Sequence, residues 1–231
     1  MVATRTLNDR DSRPTIPDQI KTCGAPDSGA RFRSGLPFGR ATDRLAVIVS
    51  VLDRVLEIAA RALPAAGVDC LLIGGFAVNH YGYTRSTLDV DLLIASDRLD
   101  EVRRIMREAG FINMEVFDNV AFFSVPGQPP RVDFLRVEAN TMNRLLTNAQ
   151  PVTIHGHRLR VPALRDLLAM KIFSLAQQPA RRMGKDLPDI AYLSVLHRLD
   201  VETEIRPLCD RFGTAETYRL IRAQMAALRE P

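Results

Sequence analysis

The chain has 231 residues, 46% of them hydrophobic and 25% charged, with a formal net charge of +4 at pH 7. That is enough for one compact domain with extras, and enough apolar content to bury a core. No apolar run approaches the roughly 20 residues that span a bilayer. The first residues are too polar for a secretory leader, and Cys23, Cys70 and Cys209 are too scattered for a disulfide framework or a zinc knuckle. The expectation is a cytoplasmic protein with no membrane partner.

Residues 1–41 carry Pro14, Pro17, Pro26 and Pro37 without apolar periodicity and read as a disordered tail. From Thr42 to Leu63 apolar residues recur at helical spacing, and Pro64 and Gly67 are expected to end that helix. Residues 68–73 read as a short buried strand, 75–82 as a two-turn helix and 88–94 as a second buried strand. Ser96 or Asp97 is expected to cap a helix with the apolar stripe Leu99, Val102, Ile105 and Met106, closed by Gly110. Two β-segments, 112–117 and 120–125, meet at the turn Asp118-Asn119, and a third, 131–137, follows "PGQPP". A short helix over 138–149 leads to a hairpin about Gly156, and from Pro162 the pattern is helical. The division is therefore an α/β segment, 42–161, followed by a helical segment, 162–231.

Asp89 and Asp91 stand two residues apart in an apolar strand, so they project from one face. Two such carboxylates repel unless a cation or water relieves them. Magnesium suits the purpose, because it takes oxygen ligands and keeps part of its water shell for a phosphate. Asp133 lies in another apolar strand, "RVDFL"; if the two strands are neighbours, three carboxylates converge and can hold two metal ions. Gly74-Gly75 follows a strand and opens a helix, where backbone can approach a phosphate closely. No P-loop, dinucleotide fingerprint or Gly-x-Ser-x-Gly is present.

The stretch "GGFAVNHYGYTRSTLDVDLLI" resembles the signature of the DNA polymerase β-type nucleotidyltransferase superfamily: a Gly-Gly turn, a short helix, an Asp-x-Asp strand and a third acid on a later strand. The closer similarity is to the bacterial AbiEii-like nucleotidyltransferases, toxins of abortive-infection and toxin–antitoxin systems. Their helical region carries a lysine and a "KD-x-x-D" segment, matched here by Lys171 and "KDLPDI". The resemblance covers about residues 71–193. It implies an α/β (α+β) fold: a small mixed-sheet nucleotidyltransferase core with flanking helices, followed by a helical C-terminal region. It also implies roles. Asp89 and Asp91 would bind two Mg2+ ions, and Asp133 would complete the second site and help deprotonate the acceptor. Gly74 and Gly75 would contact the triphosphate, and Arg85 and Thr87 would support it or hold the loop. Lys171 would neutralise phosphate charge, while Lys185 and Asp186 would complete the cleft.

Plainer readings stand beside these. Lys171 sits among apolar residues and could snorkel from the core edge. Asp189 suits a cap or a pair with an arginine, and His155 and His157 flank a hairpin glycine rather than a metal. The basic run at Arg181, Arg182 and Lys185 is either an RNA contact or an exposed loop. The expected activity is transfer of a nucleoside monophosphate from a nucleoside triphosphate, such as ATP, to an RNA or protein hydroxyl, with an antitoxin protein as partner. The alternatives are a catalytically silent nucleotide-binding module, an antibiotic-modifying nucleotidyltransferase and a transferase of the γ-phosphate.

Overall fold

The computed structural model describes residues 41–87 and 89–230; the tail expected over residues 1–40 lies outside the described residues, as does Leu88. Helix α1, Ala41–Glu57, runs through a π-turn, Ile58–Ala62, into the short α2, Leu63–Ala65. Pro64 does not end the helix. It occupies the first turn of α2, where a missing N–H costs nothing, and Gly67 at φ 71 closes the segment.

Strand β1, Cys70–Leu72, leads into helix α3, Gly74–His80, and strand β2, Val90–Ala95, follows. A 3-10 turn, Ser96–Arg98, opens α4, Leu99–Glu108. Neither Ser96 nor Asp97 caps it; the Ser96 hydroxyl donates instead to the carbonyl of Val137 at 3.1 Å, tying the turn to a neighbouring strand. Strands β3, Asn113–Val116, β4, Val120–Val125, and β5, Gln128–Val137, come next, then helix α5, Ala139–Thr147, and the hairpin β6, Gln150–Ile154, with β7, His157–Val161. "PGQPP" is not only a connection: β5 already begins at Gln128, paired with Val125.

The remaining helices are α6, Leu164–Gln177, α7, Pro179–Arg182, α8, Asp186–Leu196, α9, Arg206–Phe212, and α10, Ala215–Ala227, with a π-turn, Val201–Ile205, before α9. Asp200 starts that turn by accepting hydrogen bonds from the N–H groups of Glu202 and Thr203.

Five strands form one mixed sheet in the order β1-β2-β5-β4-β3. The β2–β5 pair is parallel and the other pairs are antiparallel. Alternation divides the sheet's residues between two faces. Val90, Leu92 and Ile94 of β2, with Val132 and Phe134 of β5, enter the main core, which also takes in α1, α4 and the C-terminal helices. Leu93 faces the other way, into a small cluster with Leu71, Ile73, Met142 and Leu145, where α5 covers the sheet. Asp91 and Asp133 lie on this second face. They sit at the N-terminal ends of β2 and of the β2-paired part of β5, one alternation step from Leu93 and Leu135. The fold thus buries one face and leaves acidic residues at one end of the other.

Candidate nucleotidyl-transfer site

The parallel register pairs Asp91 of β2 with Asp133 of β5, so the two carboxylates sit side by side across adjacent strands, about 4.8 Å apart at the backbone. Asp89 stands just outside β2, exposed, while Asp91 is half-buried and Asp133 is buried. Burial, chiefly, pushes Asp91 up to about 6, and the negative charges of Asp133 and Asp89 push the same way, opposed by Lys185 and Lys171. Burial likewise raises Asp133, against the hydrogen bond and charge of Arg131. The three acids therefore share one electrostatic neighbourhood.

The glycine turn is fitted to this acidic end. Gly74 has φ 60, and a Cβ there would fall far inside contact distance of the Asp91 carboxylate. A Cβ on Gly75 would meet the Thr87 hydroxyl at 2.5 Å. Both positions demand glycine, one for conformation and both for space. Thr87 in turn donates to the carbonyl of Asp89 at 3.4 Å, so the turn, Thr87 and the acids form one contiguous surface.

Arg85 belongs to a different construction. The amide of Asn79 clamps its backbone from both sides, accepting from its N–H and donating to its carbonyl, each at 3.0 Å. The guanidinium forks Asp189 of α8 at 2.7 and 2.8 Å. Burial alone would lower Arg85, but the hydrogen bond and charge of Asp189 outweigh it and hold the group above its ordinary value. Asp189 also accepts from Lys171 at 2.7 Å, and Lys171 reaches Asp186 at 2.9 Å. Two cations and two carboxylates thus form a neutral buried network that ties the loop after α3 to α6 and α8. Arg85 holds the loop, and Lys171 is fully engaged between carboxylates. Asp186 keeps one buried oxygen without a hydrogen-bond partner among the described residues, with Arg182 at 3.8 Å.

Lys185, at the start of α8, is exposed, and no carboxylate pairs with it among the described residues. Its charge lowers both Asp91 and Asp133, so it faces the acidic end. Arg181 and Arg182, which the sequence could place in an exposed loop, form the last turn of α7.

The structure adds a residue that the sequence reading passed over. Arg131 forks Asp133 at 2.7 and 2.8 Å, with its guanidinium 4.0 Å from the centroid of the Phe122 ring. The signal was available: Arg131 is two residues before Asp133 in a strand, hence on the same face. Among the described residues, no group of three or more His, Cys, Asp or Glu side chains is placed to hold a metal ion. Asp89 and Asp91 present oxygen donors with no side-chain hydrogen bond among the described residues, a donor set that fits a hard divalent cation.

A family model described as "Nucleotidyl transferase AbiEii toxin, Type IV TA system" matches residues 57–231, well over half of the chain. The chain belongs to the AbiEii nucleotidyltransferase toxin family. An AbiEii protein is a nucleotidyltransferase, an enzyme that moves a nucleoside monophosphate from a triphosphate to an acceptor, and this chain's mixed sheet with flanking helices is the nucleotidyltransferase fold. No curated protein sequence matches the chain. Among solved structures, an antigenic nucleotidyltransferase-like protein from Paracoccidioides brasiliensis is 21% identical, with 81% of this chain and 89% of that one covered and a TM-score of 0.46. ANT(2″)-Ia in complex with adenylyl-2″-tobramycin is 16% identical over 78% of this chain and 98% of that one, at a TM-score of 0.47. Terminal uridylyl transferase 4 from Trypanosoma brucei with bound GTP is 13% identical over 71% and 57%, at 0.34. Likenesses at this level say nothing of what an AbiEii chain such as this one acts on. No helix among the described residues is long and apolar enough to cross a membrane.

Proposed function

We propose that the chain transfers a nucleoside monophosphate to a hydroxyl of an RNA or protein acceptor in the cytoplasm, as the toxin of a toxin–antitoxin or abortive-infection pair. The observation that carries this reading is the acidic end itself: Asp91 and Asp133 in register on parallel strands, Asp89 beside them, and a glycine turn with no room for a Cβ against Asp91. The α-phosphorus gains a bond to the acceptor oxygen and loses its bond to the oxygen bridging to the β-phosphate, so pyrophosphate leaves. Asp89 and Asp91 would hold magnesium, and Asp133 would complete a second site. When bound, such ions neutralise phosphate charge and make the acceptor hydroxyl easier to deprotonate.

The chain's own groups do the rest. Gly74 and Gly75 let backbone approach the triphosphate, and Thr87 sets the position of the turn against Asp89. The exposed ammonium of Lys185 draws the departing phosphates toward the helical wall. Asp133, buried and raised, is suited to accept the acceptor's proton. Lys171, Asp186 and Arg85 act indirectly, by fixing that wall to the loop. Position and charge, rather than covalent chemistry, supply the rate. The division at residues 161–162 is part of the same reading, with the helical segment selecting the acceptor.

The test is incubation with α-labelled nucleoside triphosphates, magnesium, and total RNA or lysate. Label on a macromolecule that is lost in Asp89→Asn supports the proposal. Nucleotide binding without transfer under any triphosphate identifies a silent module and refutes it, and label carried only by small molecules refutes the acceptor class.

A further inference from the structure

We propose that Arg131 is a resident counter-cation of the third carboxylate: it competes with the second metal ion for Asp133, so the resting chain holds one divalent ion and admits another only when Arg131 swings away. The inference rests on the nucleotidyl-transfer reading and concerns how its metal sites fill.

Three features fix the arrangement. Alternation along β5 puts Arg131 and Asp133 on one face, and the guanidinium takes both oxygens of the carboxylate, at 2.7 and 2.8 Å. Phe122 of β4 is the register partner of Asp133, and its ring carries the guanidinium at 4.0 Å. The cation is therefore docked on a prepared surface in a planar fork. Finally, the two partners are unequally buried: the Arg131 side chain is 50% exposed, that of Asp133 12%. Arg131 can rotate into solvent without disturbing the core, whereas Asp133 cannot follow it.

The choice of cation matters. A guanidinium stays charged across the working pH range, so protonation chemistry cannot free Asp133; only another partner for the arginine can. A nucleoside triphosphate brings anionic oxygens that a guanidinium binds well. Substrate and second metal would then arrive together, the phosphates drawing Arg131 off as the ion takes its place. An unfilled acidic end would meanwhile be spared part of its self-repulsion, because the guanidinium lies against the Asp133 carboxylate, itself in register with Asp91.

The experiment counts Mn2+ bound to the full chain by the EPR signal of free Mn2+, with and without a triphosphate analogue that cannot release pyrophosphate. Wild type is expected to bind one ion alone and a second, at least tenfold more tightly than before, once the analogue is present. Arg131→Met keeps an apolar stem over Phe122 but removes the charge. It should tighten the second ion roughly tenfold without analogue, the equivalent of about 1.4 kcal/mol. The gain should vanish in Arg131→Met/Asp133→Asn. Arg131→Lys, which cannot fork both oxygens, should give part of the gain and guards against a variant that fails to fold. A merely structural arginine would not improve metal binding when removed. Unchanged or weaker second-ion affinity in folded Arg131→Met and Arg131→Lys overturns the inference and leaves the metal reading standing. Two equally tight ions in wild type without analogue do the same. Absence of any Mn2+ site sensitive to Asp91→Asn overturns the metal reading and this inference with it.

Discussion

Replacing Lys171 with methionine separates two roles for this lysine. A lysine kept free to meet phosphate would be a lone buried cation, and its removal would leave the apo protein as stable or more so. In the structure the ammonium lies between Asp186 and Asp189, at 2.9 and 2.7 Å, with side-chain exposures of 7%, 4% and 0% for the three residues. Without it, Asp189 retains the Arg85 fork, but Asp186 retains only Arg182 at 3.8 Å and already has one unpartnered oxygen. Removing one member of a buried pair costs about 3–5 kcal/mol. For a chain of this size that corresponds to a Tm lower by about 6–20 °C. Asp186→Asn removes the stranded charge, so the double variant Lys171→Met/Asp186→Asn should regain about half of the loss or more. Thermal and urea unfolding of the four proteins in the cycle measures this. A cost below about 1 kcal/mol, within the range of exposed pairs, would refute the buried-network reasoning, as would a double variant no more stable than Lys171→Met.

Gly74→Ala combines a left-handed backbone costing about 1–2 kcal/mol with a methyl driven into the Asp91 carboxylate. Urea unfolding should show at least that loss, and Mn2+ affinity should fall together with stability. Arg85→Met should cost about 1.5–3 kcal/mol through the lost charged hydrogen bonds to Asp189, and Arg85→Lys should recover little because an ammonium cannot fork. Proteolysis of the loop around residues 82–87 should quicken in both. Asp91 at about 6 gives a pH test with two opposite signs. Between its ordinary 3.8 and 6 the folded metal-free chain holds a proton that the unfolded chain has released, so stability attributable to this group falls as pH rises through that window. Divalent-ion affinity, which needs the carboxylate, should instead climb through pH 6; a flat profile from pH 5 to 7.5 would contradict it.

The acidic end could be read from the sequence because period-two alternation translates directly into a shared face. Asp89 and Asp91 needed only that rule, and Asp133 needed one further assumption, that its strand lay beside theirs, which the parallel register bears out. Gly74-Gly75 announced a close approach, and the structure identifies its partners as Asp91 and Thr87. What sequence reasoning could not supply was pairing over long separations. Arg85 and Asp189 are 104 residues apart, and nothing local marks them as partners. Arg131 was overlooked for the opposite reason: it is adjacent and on the right face, but a strand arginine reads as solvated until the Phe122 ring across the sheet gives it a seat. Pro64 and Ser96 show local signals yielding to context. The first is absorbed by a helix restart, the second is drawn into a bond with Val137.

The most direct measurement is the fate of the phosphates. Parallel reactions with α-labelled and γ-labelled triphosphate, run with wild type, Asp91→Asn and Asp133→Asn, should place only the α-label on the acceptor. One pyrophosphate should be released per label, and transfer should fall by several orders of magnitude in both variants. Label arriving from the γ-position, or α-transfer that survives loss of either carboxylate, would contradict the account.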